Sequence, residues 1–67
     1  MTLTQLRHMV EIAKSGSFIK SADKLFLTQP ALSRSIKSLE DELGGKLFDR
    51  QGRQSTLTVL GQSIFKQ

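Results

Sequence analysis

The residues best suited to chemistry lie between positions 28 and 37, in the run Thr-Gln-Pro-Ala-Leu-Ser-Arg-Ser-Ile-Lys. Arg34 carries a planar fork of donors that can meet O6 and N7 of guanine, and the Gln29 amide matches the edge of adenine. Pro30 can make apolar contact with a thymine methyl group, and Ser33 is short enough to let its backbone come close to a ligand. This is chemistry of recognition. It requires the side chains to stand on one rigid face.

The spacing of the apolar residues supplies that face. Leu32, Ile36, Leu39 and Leu43 recur at i, i+4, i+7 and i+11, one stripe on a helix of 3.6 residues per turn. Pro30, Ser33, Arg34 and Lys37 then point away from the stripe. Thr28 is placed to cap the helix, and Pro30 is tolerated in the first turn, where its missing N–H costs nothing. The pattern predicts a helix over about 28–43, pinned inward by leucine-class residues and slim and basic outside. Such a helix suits the major groove of DNA.

Two shorter helices precede it. Thr2 and Gln5 have the spacing of a capping box, so a first helix is expected from near Leu3. Leu6, Met9, Val10 and Ala13 form its expected inward face, with Leu3 and Ile12 at the margins. Gly16 supplies a left-handed stop and Ser17 caps a second helix over about 18–25. There Phe18, Ala22 and Leu25 turn inward, while Lys20, Asp23 and Lys24 face solvent. A short link through Phe26 and Leu27 then makes a helix-turn-helix. An ordinary helical hairpin would share this pattern, but it would not require the basic outer face. His8, the single histidine, has no second ligand nearby and reads as a boundary residue.

After Gly44 and Gly45 the character changes. Lys46 to Arg50 and Arg53 to Leu57 are short extended segments about Gln51 and Gly52, a hairpin pattern. Four basic residues (46, 50, 53, 66) face one acid (49) between positions 44 and 67. A basic hairpin after a helix-turn-helix is a wing that can reach phosphates or the minor groove. Thr58 opens a last amphipathic segment that stops with Ile64 and Phe65 barely placed, so the natural chain is expected to continue. The expected architecture is mainly α with a small β-hairpin. It is a winged helix-turn-helix with a three-helix core, a wing over about 46–57 and the start of a linker helix. Residues 1–57 form the domain and residues 58–67 the beginning of that helix.

Composition narrows the classes. Sixty-seven residues with no cysteine give one small domain without disulfides or a cysteine-ligated zinc. Ten Lys and Arg against six Asp and Glu leave +4, which favours a polyanionic partner and also serves solubility. No apolar run approaches the ~20 residues of a membrane span, and no signal peptide is expected, because Thr4, Gln5, Arg7 and His8 interrupt any apolar region. A cytoplasmic location is therefore expected. One His, no Cys and no glycine-rich phosphate loop argue against an enzyme, and no cofactor or metal is expected. The chief alternative is a winged-helix protein-interaction module, which would need apolar side chains on the outer face of the third helix. A binder of phosphates alone would not need Gln29 and Arg34 at its front.

Thr28-Gln29-Pro30-Ala31-Leu32-Ser33-Arg34, Ile36, Leu39-Glu40 and Glu42-Leu43-Gly44 strongly resemble the DNA-binding domain of LysR-type bacterial transcriptional regulators. So do Leu47-Phe48-Asp49-Arg50, Gly52-Arg53, Leu57-Thr58 and Gly61. The resemblance covers nearly the whole chain without gaps. It implies sequence-specific binding of double-stranded DNA, with Gln29, Pro30, Ser33 and Arg34 at bases in the major groove. It also implies Arg53 in the minor groove and Thr28, Lys37 and Arg50 on phosphates. In the family a long linker helix dimerises, so the full-length protein is expected to be a homodimer or homotetramer. The 67 residues alone should be monomeric or weakly dimeric. A small-molecule inducer would act through a C-terminal domain absent from this sequence.

Several residues depart from the family pattern. Ser21 stands where alanine is common and is expected to weaken the helix contact slightly. Phe26 holds a turn position that favours a residue tolerant of unusual backbone angles. Gly45 is expected to loosen the start of the wing. Gln54 and Ser55 replace basic and apolar residues, so that strand is expected to be short or ragged. Glu40, Asp41 and Glu42 sit at the negative end of the third helix, either keeping that end off DNA or simply solvated.

Overall fold

In the computed structural model, which describes residues 2–51 and 54–65 (positions 50 and 51 by backbone alone), local capping sets each helix. Thr2 Oγ1 accepts the Gln5 N–H and Gln5 Oε1 accepts the Thr2 N–H, closing the capping box that starts α1, Leu3–Ser15. Gly16 ends it at φ 71°, a conformation that costs glycine nothing. Ser17 then accepts the Lys20 N–H to cap α2, Phe18–Lys24, and Thr28 accepts the Ala31 N–H to cap α3, Gln29–Leu43. Pro30 occupies the first turn of α3, as its missing donor allows. Beyond α3 come β1, Phe48–Gln51, and β2, Gln54–Leu57, then α4, Val59–Phe65.

The strands pair antiparallel in the register Phe48↔Leu57, Asp49↔Thr56, Arg50↔Ser55 and Gln51↔Gln54. One bond fastens them to the end of α1 and another closes the open end of the hairpin. The Ser55 N–H donates to the Gly16 carbonyl at 2.9 Å, and the Thr58 N–H to the Leu47 carbonyl at 2.9 Å. The core gathers Met9 and Ile12 from α1, Phe18 and Ala22 from α2, Leu32, Ile36 and Leu39 from α3, and Leu47 and Phe48 leading into the hairpin. Each large aliphatic or aromatic side chain fully buried there contributes about 1.5–3 kcal/mol. The Phe18 and Phe48 rings meet edge to face at 5.6 Å and 82°, which couples α2 to the wing.

The expected order of elements is found, and five local expectations need correction. Ile12 is no margin residue: it is wholly buried while Leu6, Val10 and Ala13 are half-buried, so the α1 face centres one position off the expected line. Ser21 does not weaken the helix contact. It is buried and its hydroxyl pairs with that of Ser15 at 2.7 Å, which satisfies the polar group where α2 leaves α1. Gly45 does not loosen the wing: a Cβ there would lie 2.9 Å from Leu60 Cδ2, so its missing side chain admits α4. The strand from Gln54 is short, at four residues, but it is not ragged: Ser55 is buried and each residue is paired. Glu40 is not simply solvated or repellent. Its Oε2 accepts the Leu47 N–H at 2.8 Å and so fixes the chain between α3 and the wing.

Candidate nucleic-acid interface

α3 holds its outer face rigid because its inner face is sealed. Leu32, Ile36 and Leu39 are 0–3% exposed, and His8 Nδ1 meets Ser35 Oγ at 2.7 Å to tie the same helix to α1. On the opposite side Pro30, Arg34 and Lys37 are exposed and Ser33 is half-buried, while Gln29 is exposed at the amino-terminal end of the helix. Gln29 and Pro30 stand in the first turn. Thr28 is exposed just before them, its Oγ1 occupied as the cap acceptor while its proton remains available to an incoming oxygen.

Arg34 is held along the helix by an Nε donor to the Pro30 carbonyl at 3.4 Å. That bond uses Nε and leaves the two terminal nitrogens as paired donors, the arrangement suited to a guanine edge. Ser33, Lys37 and Glu40 also line a cleft of about 400 Å³ between α3 and the start of the wing, with Lys46 and Asp49 on its other side. Charge there is mixed, and the Glu40 carboxylate is already engaged by the Leu47 N–H. The structure therefore brings Pro30, Ser33, Arg34 and Lys37 onto one side of α3, with Thr28 and Gln29 exposed at its amino-terminal end. Arg50 lies in β1 opposite Ser55, but its side chain, like the whole of Arg53, lies outside the described residues.

Two features of this surface lay beyond sequence reasoning. The Glu40 anchor joins residues seven apart through a side chain that periodicity assigns to solvent. Phe26, in the turn between α2 and α3, adopts φ 58° and is 94% exposed. The sequence marked that position as demanding, yet nothing in it announced so open a phenyl ring. Among the described residues no helix is long and apolar enough to cross a membrane, and no group of three His, Cys, Asp or Glu could hold a metal ion.

Comparison with known proteins places the sequence and the fold. The family model described as the bacterial regulatory helix-turn-helix protein, lysR family, matches residues 3–62. An SDS degradation transcriptional activation protein from a Pseudomonas species is 48% identical over 64 residues, covering 96% of this chain and 21% of that protein. A RuBisCO operon transcriptional regulator from Allochromatium vinosum is 42% identical over 65 residues, covering 97% of this chain and 22% of that protein. The chain thus spans about a fifth of the length of these curated relatives. Among solved structures, the BenM DBD in complex with benA site 1 DNA superposes with a TM-score of 0.91 at 42% identity, covering 98% of this chain and 77% of that one. The CbnR DBD–DNA complex gives 0.92 at 30% identity, covering 98% and 76%.

Proposed function

We propose that this chain, which belongs to the lysR family of bacterial regulatory helix-turn-helix proteins, binds double-stranded DNA sequence-specifically as the DNA-binding domain of a transcriptional regulator. The observation that carries the reading is the outer face of α3. Pro30, Arg34 and Lys37 are exposed together on a helix whose inner face is buried, with Gln29 exposed at its amino-terminal end. Gln29, Pro30, Ser33 and Arg34 read base edges in the major groove. Thr28 and Lys37 hold phosphates, positioning the helix without reading sequence. Arg50 joins them on a phosphate and Arg53 enters the minor groove, where a narrow A/T-rich groove attracts arginine. Residues 1–57 form the DNA-binding unit and residues 58–67 begin the helix that links it to the rest of the regulator.

A protein-docking role finds no support on α3. The exposed large apolar residues, Leu3, Ile19, Phe26, Val59 and Phe65, all lie on other elements. The chain acts by binding and not as an enzyme, as expected of a relative of transcriptional regulators, and it works in the cytoplasm where bacterial DNA lies. In the full-length protein two or four copies assemble through the helix begun by α4, and any inducer acts on a region beyond this sequence. The 67-residue chain itself is monomeric or weakly dimeric, because a short helix is marginal as a dimerising element. Sedimentation at moderate concentration should show mostly monomer; a tight dimer would refute this.

Selection from a random duplex library tests the main reading. Enrichment of a defined half-site is the expected result. Recovery of unenriched sequence would leave only phosphate binding and remove base reading by Gln29 and Arg34.

A further inference from the structure

The chain passes from α3 to α4 by way of the hairpin, yet both helices bond to one short segment, residues 44–47. Glu40 of α3 holds that segment at three points. Its backbone carbonyl accepts the Gly44 and Gly45 N–H groups at 2.8 and 3.1 Å, and its carboxylate accepts the Leu47 N–H at 2.8 Å. Thr58, just before α4, holds the same segment from the other side. Its N–H donates to the Leu47 carbonyl at 2.9 Å and its hydroxyl to the Lys46 carbonyl at 2.5 Å. The hydroxyl oxygen also accepts the Gly61 N–H at 3.1 Å, which caps α4.

Packing closes the joint. The Leu47 side chain is wholly buried. Gly61 is buried against the Leu47 carbonyl, so close that a Cβ there would run into the oxygen. Gly45 leaves room in the same way for Leu60, and Leu60 and Ile64 pack against the core. Leu47 thus spends its N–H on α3 and its carbonyl on the cap of α4. Neither helix can turn against the segment without losing a hydrogen bond or closing a contact that only glycine admits. Parts packed this closely shift as units and do not deform continuously.

We infer that residues 44–47, clamped between Glu40 and Thr58, are a rigid relay: α3 and α4 turn as one body, and engagement of DNA by α3 is registered in α4. The use of the relay rests on the DNA-binding reading above; the clamp itself does not. In that reading α4 begins the link to the rest of the regulator. Glu40 and Thr58 are then positioning residues. Neither reads a base, and together they fix the angle at which α4 leaves a bound half-site. Coupling of this kind is reciprocal, so loosening either end of the relay is felt at the other.

Amide hydrogen exchange in the 67-residue chain, read residue by residue by nuclear magnetic resonance, tests the clamp without DNA. Thr58→Ala leaves the Glu40–Leu47 bond in place, yet it should speed exchange at the Leu47 N–H several-fold. Glu40→Ala should likewise speed exchange at the Thr58 and Gly61 N–H groups, whose acceptors it does not touch. Thr58→Ser keeps the hydroxyl and should exchange at wild-type rates, and α1 amides should be unchanged throughout. Acceleration confined to the deleted bonds, or spread evenly over the chain, would overturn the relay. Where a variant unfolds, the wild-type chain still decides: residual dipolar couplings from α3 and α4 should fit one common alignment, and two alignments would overturn the relay. A duplex carrying the selected half-site then tests what the clamp does. At equal occupancy, binding should slow exchange at Gly61 in the wild-type chain and not in Glu40→Ala. Bound duplex with no change at Gly61 in the wild type would overturn the relay. Failure to bind any duplex would overturn the DNA-binding reading and leave the free-chain result on the clamp as it is.

Discussion

The two faces of α3 obey different rules. On the inner face Leu32, Ile36 and Leu39 are buried almost completely, and their identity is set by the shape of a core shared with α1, α2 and Phe48. On the outer face Pro30, Arg34 and Lys37 are exposed, so the packing of the core does not set their identity. The same fifteen residues therefore hold a set chosen by packing and a set that packing does not choose. Substitutions should separate cleanly, with inner changes acting on stability and outer ones on binding alone.

The largest effect tests the inner face. Leu39→Ala leaves a cavity in a close-packed core and should cost about 2–5 kcal/mol of folding stability. A domain of this size has little stability to spare, so urea denaturation should find the variant largely unfolded or with a much lowered midpoint. Any loss of DNA binding should follow the unfolded fraction. A folded Leu39→Ala chain with wild-type stability would mean that the inner face is not the anchor.

The next tests the outer face. Arg34→Ala should leave the denaturation midpoint unchanged and cost about 1–3 kcal/mol of binding, concentrated at one base pair of each half-site. Lys37→Ala should weaken all sequences alike and reduce the salt slope by about 1. Titrations over a series of single-base operator variants distinguish the two. Identical profiles would show that one of the residues has been given the wrong role.

Glu40 belongs to neither set and marks where the division ends. Its carboxylate accepts the Leu47 N–H at the approach to the wing, and a hydrogen bond to a charged acceptor contributes about 1.5–3 kcal/mol when well protected. Glu40 is half-buried, so Glu40→Ala should cost about 1 kcal/mol and loosen the wing more than the helices. Amide hydrogen exchange should show this as faster exchange at Leu47 and in β2 with α1 and α3 unchanged. Uniform acceleration across the chain would mean that Glu40 supports the whole fold.

These differences also explain what the sequence could disclose. Caps are local, and Thr2, Gln5, Gly16, Ser17, Thr28 and Gly44 each act within four residues of their partners, so all were readable. The inner stripe of α3 was readable because it is periodic. Contacts that join distant parts were not. The Ser15–Ser21 hydroxyl pair, the Ser55 bond to Gly16, the Glu40 bond to Leu47 and the approach of Leu60 to Gly45 depend on the fold as a whole. Ser21, Gly45 and Ser55 looked like departures from pattern until their partners were placed, and Glu40 like an unhelpful charge at a helix end. The outer face of α3 was readable in residue type, and its exposure agrees, but which base each side chain meets is a property of the complex.

The smallest effect concerns Phe26, an outward residue on no helix. Its φ of 58° is a conformation that costs an ordinary L-residue about 1–2 kcal/mol, and with 94% of its surface exposed the ring gains little burial to offset that cost. Its neighbours hold the turn: Leu25 and Leu27 pack against the core, and the Leu27 N–H donates to the Ala22 carbonyl at 2.8 Å. Glycine would relieve the strain but add unfolded-chain entropy of about 0.4–1 kcal/mol, so Phe26→Gly should come out near neutral. Asparagine tolerates the left-handed region while keeping a Cβ, and Phe26→Asn should stabilise the chain by about 0.5 kcal/mol, raising the melting temperature by roughly 2–4 °C. Binding to the selected half-site should not change, because the ring lies off the outer face of α3. A lower melting temperature would mean that the exposed ring makes a stabilising contact after all. A raised melting temperature with weakened binding would move Phe26 into the DNA-contacting set and extend that set past the N-cap of α3 into the turn.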